Sequence, residues 1–282
     1  MNKPVYITAD STCDLSPELL ERFHIKVIPL HVLLGEESYL DGVDFIPDMI
    51  FERYRANKTL PTTAAVSPQE FQEFFKPLVE SGYDVVHLDI SAELSASYQN
   101  AGIAAQEFPG VYPINTCHLS SSIGLLLFEA CRLRDEGKGA KEIVRAVNEL
   151  IPKVQTSFVI DTLEYLWKGG RCTGVAAFGA NLLNLKPCIE MREGKLEVGK
   201  KYRGNILKVY EKYVAERLTG RKVRPDYVFI TSSSELSADV EERLKETIRG
   251  IVPVREIIFA RAGSTISSHC GPGTMGILFL EA

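Results

Sequence analysis

The sequence predicts an α/β protein in two domains: an N-terminal, mostly parallel α/β/α domain and a C-terminal α+β domain with a largely antiparallel sheet. Three observations lead there. Up to about residue 150, short apolar runs alternate with segments of helical spacing, the pattern of a parallel sheet wrapped by helices. Beyond it, Pro187 to Met191 and Lys195 to Lys201 flank Arg192-Glu193-Gly194 and read as a hairpin. The length of 282 residues, with 45% hydrophobic and 24% charged residues, suits one large or two ordinary domains of a soluble globular chain. The boundary is expected near residues 150 to 156, giving domains 1–153 and 154–282, with a ligand held between them.

The elements follow in order. Val5 to Thr8 and Lys26 to Leu34 read as strands, and Asp14 to Phe23 as a helix with Asp14 or Ser16 as cap and Pro17 in its first turn. Pro47 to Tyr54 and Pro68 to Glu80 are helical. The second opens with Ser67-Pro68-Gln69-Glu70, a cap, a proline at the first helical position and an acid in the first turn. Strand 84–90, helix 98–107, strand 111–115 and helices 119–135 and 140–152 complete the first part. In the second, Thr156 to Ile160, Tyr227 to Thr231, Val254 to Phe259 and Gly276 to Leu280 are strand-like, and helices fall near 204–218 and 235–249.

Composition narrows the function. A net charge of -5 and the lack of a long basic run argue against nucleic acid as a partner. No apolar run approaches the roughly 20 residues of a transmembrane segment, and no signal peptide is visible. The six scattered cysteines form no C-x-x-C pair and read as reduced thiols of a cytoplasmic protein, with no metal site expected. No cofactor is indicated. Gly271-Pro272-Gly273-Thr274-Met275-Gly276 spells a dinucleotide fingerprint, but no helix follows it, so it reads as a tight turn feeding the last strand.

Hydroxyl-rich segments carry the candidate chemistry. Ser91 and Ser95 lie where strand 84–90 gives way to a helix, a place that offers free backbone N–H groups to an anion and equally suits a helix cap. Thr59-Leu60-Pro61-Thr62-Thr63 precedes another helix, and Ser120-Ser121-Ser122 follows strand 111–115. The loops after residues 90 and 115 should be neighbours on one sheet edge. His269 sits in a Ser-rich, Gly-bounded segment read as a loop, where an imidazole can donate to an anion or act as a base. Lys168-Gly169-Gly170-Arg171 is a glycine-hinged basic loop.

Taken together these pieces resemble the DegV family of bacterial fatty-acid-binding proteins. The resemblance runs through Ile7 to Leu15, Tyr39-Leu40-Asp41-Gly42, Pro61-Thr62-Thr63, Ile90-Ser91, Leu94-Ser95, Lys168 to Arg171 and His269-Cys270-Gly271-Pro272-Gly273. It implies one long-chain fatty acid, such as palmitate or oleate, with its acyl chain in an apolar tunnel. It also implies a carboxylate held by Thr63, Ser95 and His269, with Thr62, Ser91 and Arg171 close by. Such a protein is a carrier with no catalytic residue of its own, presenting its ligand to a separate fatty acid kinase that forms the acyl phosphate. Ala64, Val66 and Ala96 depart from the family's usual Ser, Pro and Gly. A serine hydrolase using Ser95 with His269 as base, and a binder of a phosphorylated small molecule, are the alternatives.

Overall fold

The computed structural model describes residues 3–172 and 185–282. Four parallel strands, β1 (Val5–Asp10), β2 (Ile25–Ile28), β6 (Asp84–Asp89) and β7 (Val111–Asn115), form a sheet in the order β2-β1-β6-β7. Between β2 and β6 the chain makes a small antiparallel sheet of β3 (His31–Leu34), β4 (Glu37–Leu40) and β5 (Thr62–Ala64), in the order β4-β3-β5. The third sheet has six strands: β8 (Val154–Val159), β9 (Leu185–Arg192), β10 (Lys195–Arg203), β11 (Val223–Ser232), β12 (Glu256–Arg261) and β13 (Met275–Glu281). Their order is β10-β9-β8-β13-β11-β12, antiparallel throughout except for the β11–β12 pair.

Most helices start where local chemistry says they should. Ser16, not Asp14, caps α1 (Pro17–Arg22), and α2 is Pro47–Asn57. Ser67 and Glu70 close a reciprocal capping box on α3 (Pro68–Glu80). Next come α4 (Ser97–Ala105), α5 (Ser121–Asp135), α6 (Ala140–Leu150), α7 (Glu164–Gly169), α8 (Ile206–Leu218), α9 (Ala238–Arg249) and α10 (Ser264–Cys270).

Three expectations are corrected. The run Lys26 to Leu34 is two strands in two sheets, because Pro29 cannot supply a ladder N–H and the chain turns there. The hydroxyl-rich stretch Thr59–Thr63 ends in strand β5 rather than staying a loop. His269 lies on a two-turn helix, α10, and not in a loop.

The centre of the molecule is α5. It is buried along nearly its whole length, packing on β1 and β6 of the parallel sheet and on β8, β11 and β13 of the six-stranded sheet. One apolar core therefore runs from Ile7 and Leu88 through Ile123 and Leu126 to Phe158, Phe229 and Leu278. At its N-terminal turn, Ser121 accepts from Thr231 at 2.8 Å, and the Ser122 and Thr156 hydroxyls pair at 2.6 Å. These bonds satisfy hydroxyls that would otherwise be buried without partners. Leu126 is fully buried between the layers. Leu126→Ala should cost about 2–5 kcal/mol in denaturant unfolding. A loss below about 1 kcal/mol would contradict this placement of α5.

Candidate functional site

A cavity of about 200 Å3 opens where β5, the loop after β6, the segment after α7, β10 and α10 meet. Its walls are mainly apolar, with Leu30, Ile90, Leu94, Phe158, Leu196 and Ile266 among them. The polar groups that reach it are Thr63, Ser95, Arg171, Thr265 and His269. Leu119, Phe158, Ile266 and Cys270 also line a second void of about 30 Å3.

Thr63 and His269 are 206 residues apart and meet at 2.8 Å, Thr63 Oγ1 to His269 Nε2. β5 delivers Thr63. Thr62, its neighbour on the strand, is exposed and does not line the cavity. His269 comes from the last turn of α10. Its Nδ1 is buried and has no hydrogen-bond partner. We place the imidazole proton on Nε2, because the other tautomer buries a donor without an acceptor. Nε2–H then donates to Thr63 Oγ1, leaving the threonine hydroxyl proton for whatever lies in the cavity. Burial, with a smaller push from the Arg171 guanidinium, holds this imidazole down at about 4.

The N-cap of α4 is Ala96, and Ser95, the residue before it, accepts from Ser97 N–H at 3.2 Å in the first turn. Ser95 also lines the cavity. Ser91 is different. Its hydroxyl donates to the Gly194 carbonyl at 2.7 Å, in the turn between β9 and β10, and it does not line the cavity. Gly194 has a left-handed φ of 81, and a Cβ there would lie 2.8 Å from Ser91 Oγ. This contact pins the hairpin carrying Leu196 against the loop after β6. The loops after β6 and β7 are neighbours as expected: Ser91 N–H donates to His118 O at 2.8 Å and Ala92 N–H to Asn115 Oδ1 at 3.1 Å.

Arg171 is exposed at the rim, donating to the Gly169 carbonyl at 2.9 Å. Gly169 itself abuts the site. A Cβ on it would fall 2.3 Å from His269 Nδ1, so only glycine leaves room for the ring. That role had no signal in the sequence beyond the glycine pair. Asp10, at the end of β1, accepts from Ile90 N–H at 2.8 Å and from Thr12 N–H at 2.9 Å, and so fixes the cavity wall at Ile90. Burial and the neighbouring Asp89 carboxylate push its carboxyl up to about 6. Among the described residues no cluster of His, Cys, Asp and Glu is arranged to hold a metal, and no helix is long and apolar enough to cross a membrane.

An apolar cavity reached by a few polar side chains has the usual form of a small-molecule site. The chain belongs to the DegV family, described as uncharacterised proteins, which it matches over residues 4–282. It is 31% identical over 280 residues to a DegV domain-containing protein of Deinococcus radiodurans, covering 97% of both chains. A Thermus thermophilus DegV family protein described for its fatty acid binding is 32% identical, with a TM-score of 0.88 and full coverage of both chains. A Thermotoga maritima protein whose structure is described as revealing a fatty acid binding function is 28% identical, with a TM-score of 0.85 and full coverage of both.

The hydrolase alternative finds no support in the geometry. Ser95 Oγ lies 3.2 Å from Ser97 Oγ, while His269 bonds Thr63 and has no acid on Nδ1 to orient it.

Two outcomes are expected. In the ligand-free protein the His269 imidazole should stay neutral down to about pH 4 in an NMR titration, against about 6.5 in an unfolded chain. The unfolded state then takes up this proton first, so acidification from pH 6.5 to 4 should lower stability by about 3 kcal/mol through this group. A titration near 6.5 would contradict the burial described. Gly169→Ala should displace the ring and break its bond to Thr63, seen as a changed imidazole 15N spectrum; an unchanged spectrum would contradict the contact.

Proposed function

We propose that this protein binds one long-chain fatty acid, such as palmitate or oleate, and presents it to a separate fatty acid kinase for conversion to an acyl phosphate. The ligand lies between the parts 1–153 and 154–282. The observation that carries the reading is the Thr63–His269 pair at the polar end of an apolar cavity, whose walls come from both parts. Thr63 and Ser95 donate their hydroxyls to the carboxylate. His269, neutral, orients Thr63, and Arg171 adds a positive charge from the rim. The positive end of α4, behind Ser95 and Ala96, favours the same anion. Two hydroxyl donors, one of them oriented by the imidazole, satisfy carboxylate lone pairs without offering an activated nucleophile, which suits a carrier.

The acyl chain supplies the affinity. At about 25 cal/mol per Å2, burying roughly 300 Å2 of chain is worth about 7 kcal/mol before ordering costs. In this reading the chain runs toward Leu119, Phe158, Ile266 and Cys270, which line both voids. The similarity to relatives described as binding fatty acids supports the ligand class.

Native mass spectrometry of the purified protein should show a mass excess that is lost on denaturation, with a fatty acid in the organic extract. Protein that yields none and takes up none would overturn the reading. Thr63→Ala and Ser95→Ala should each weaken palmitate binding about tenfold, roughly one charged hydrogen bond, whereas Thr62→Ala should change it less than twofold. With a fatty acid kinase and ATP, the loaded protein should yield an acyl phosphate trapped by hydroxylamine. Failure of that step alone would contradict the presentation half of the proposal.

A further inference from the structure

Helix α10 is seven residues long, far short of what holds together by itself in water. Its N-cap is Gly263, which has no side chain to satisfy the first turn. Two remote carboxylates do this instead. Asp14 Oδ1 accepts from Gly263 N–H at 2.9 Å, and Asp41 Oδ1 accepts from Ser264 N–H at 2.7 Å. Asp14 stands after the turn Ser11–Cys13, and Asp41 directly follows β4.

Both carboxylates are buried and held from behind. Ser120, the residue before α5, donates to Asp14 Oδ2 at 2.5 Å. Ser11 donates to Asp41 Oδ2 at 2.9 Å and itself accepts from Leu30 N–H at 3.0 Å. Asp14 and Ser120 both adopt left-handed backbone, with φ of 51 and 58, a conformation unfavourable for residues other than glycine. The clasp is therefore kept at the expense of local strain. It also needs Gly263, where a Cβ would lie 3.0 Å from the Asp14 carboxylate and 3.1 Å from that of Asp41.

The other end of the same helix carries His269, while Thr265, Ile266 and Cys270 form cavity wall. About 7 Å of helix separates Ser264 from His269 at 1.5 Å per residue. In so short a rod, the height and rotation of the last turn are set by what grips the first. Ser264 Oγ adds a bond to the Phe45 carbonyl at 2.7 Å, against the loop leading to α2.

We propose that Asp14 and Asp41 are positioning residues of the ligand site: together they cap α10 and thereby set His269 at bonding distance from Thr63. The consequence for the ligand rests on the fatty acid reading above. The consequence for His269 does not.

The test uses the full chain, freed of lipid and labelled with 15N at histidine, with palmitate as the probe. Asp14→Asn and Asp41→Asn each put an amide NH2 where one of two donors now points. Each should shift the His269 imidazole resonances and weaken palmitate binding about tenfold. The double variant should be little worse than either single one, since both act through one helix. Val209→Ala, on the buried face of α8 in a core cluster that holds no α10 residue, controls for lost stability and should leave both readouts in place. Should the Asn variants fail to fold, Ser11→Ala and Ser120→Ala loosen the clasp from behind and should move the same readouts about threefold. Folded variants with unchanged His269 resonances would overturn the proposal. If the natural protein itself takes up no palmitate, the fatty acid reading fails and the imidazole spectrum still decides whether the clasp positions His269.

Discussion

The hydrogen bond between Thr63 and His269 is the constraint on which the site depends. It joins the edge of the three-stranded sheet to the C-terminal helix, and each side needs the other structures to bring it there. Thr63 requires β5 to pair with β3, with Thr63 opposite Val32. His269 requires a capped α10 and the bare backbone of Gly169 beside its ring. Among the described residues this is the imidazole's one hydrogen bond, because Nδ1 is buried without a partner. A ring so desolvated stays neutral, and by donating Nε2–H to Thr63 Oγ1 it leaves the threonine's own hydroxyl proton to point elsewhere.

This arrangement supports the proposed reading of a bound acid. The groups around its polar end are hydroxyls, one neutral imidazole and a guanidinium at the rim. The carboxylates of the region face away, committed to Gly263, Ser264 and Ile90 N–H groups. Burial pushes Asp10, Asp14 and Asp41 upward, while the N–H and O–H groups they accept from act against that rise. These buried acids thus serve the architecture of the cavity wall, and among the described residues no carboxylate lines the cavity.

Much of the fold was legible because it obeys local rules. The capping box at Ser67 and Glu70, the alternation of apolar runs with helical spacing up to α6, and the turn at Glu193 and Gly194 all settle elements without tertiary help. What escaped is tertiary in origin. α10 reads Ser-Thr-Ile-Ser-Ser-His-Cys, a composition that favours caps and turns over helix interiors, and its cap comes from Asp14 and Asp41, more than 200 residues away. The split between β2 and β3 hides in an otherwise continuous apolar run, with Pro29 as its one signal. Of the hydroxyl clusters, those at Thr63 and Ser95 reach the cavity and Ser120-Ser121-Ser122 does not. The sequence does not tell which members face inward: Thr62 is exposed, and Ser91 is taken by the Gly194 carbonyl.

The most direct test is a crystal structure of the protein with palmitate bound. The account predicts the carboxylate within hydrogen-bond distance of Thr63 Oγ1 and Ser95 Oγ, the Thr63–His269 bond intact, and the acyl chain running toward Leu119, Phe158 and Ile266. A carboxylate seated elsewhere, or a chain lying in the reverse direction with its methyl end against Thr63, would contradict it.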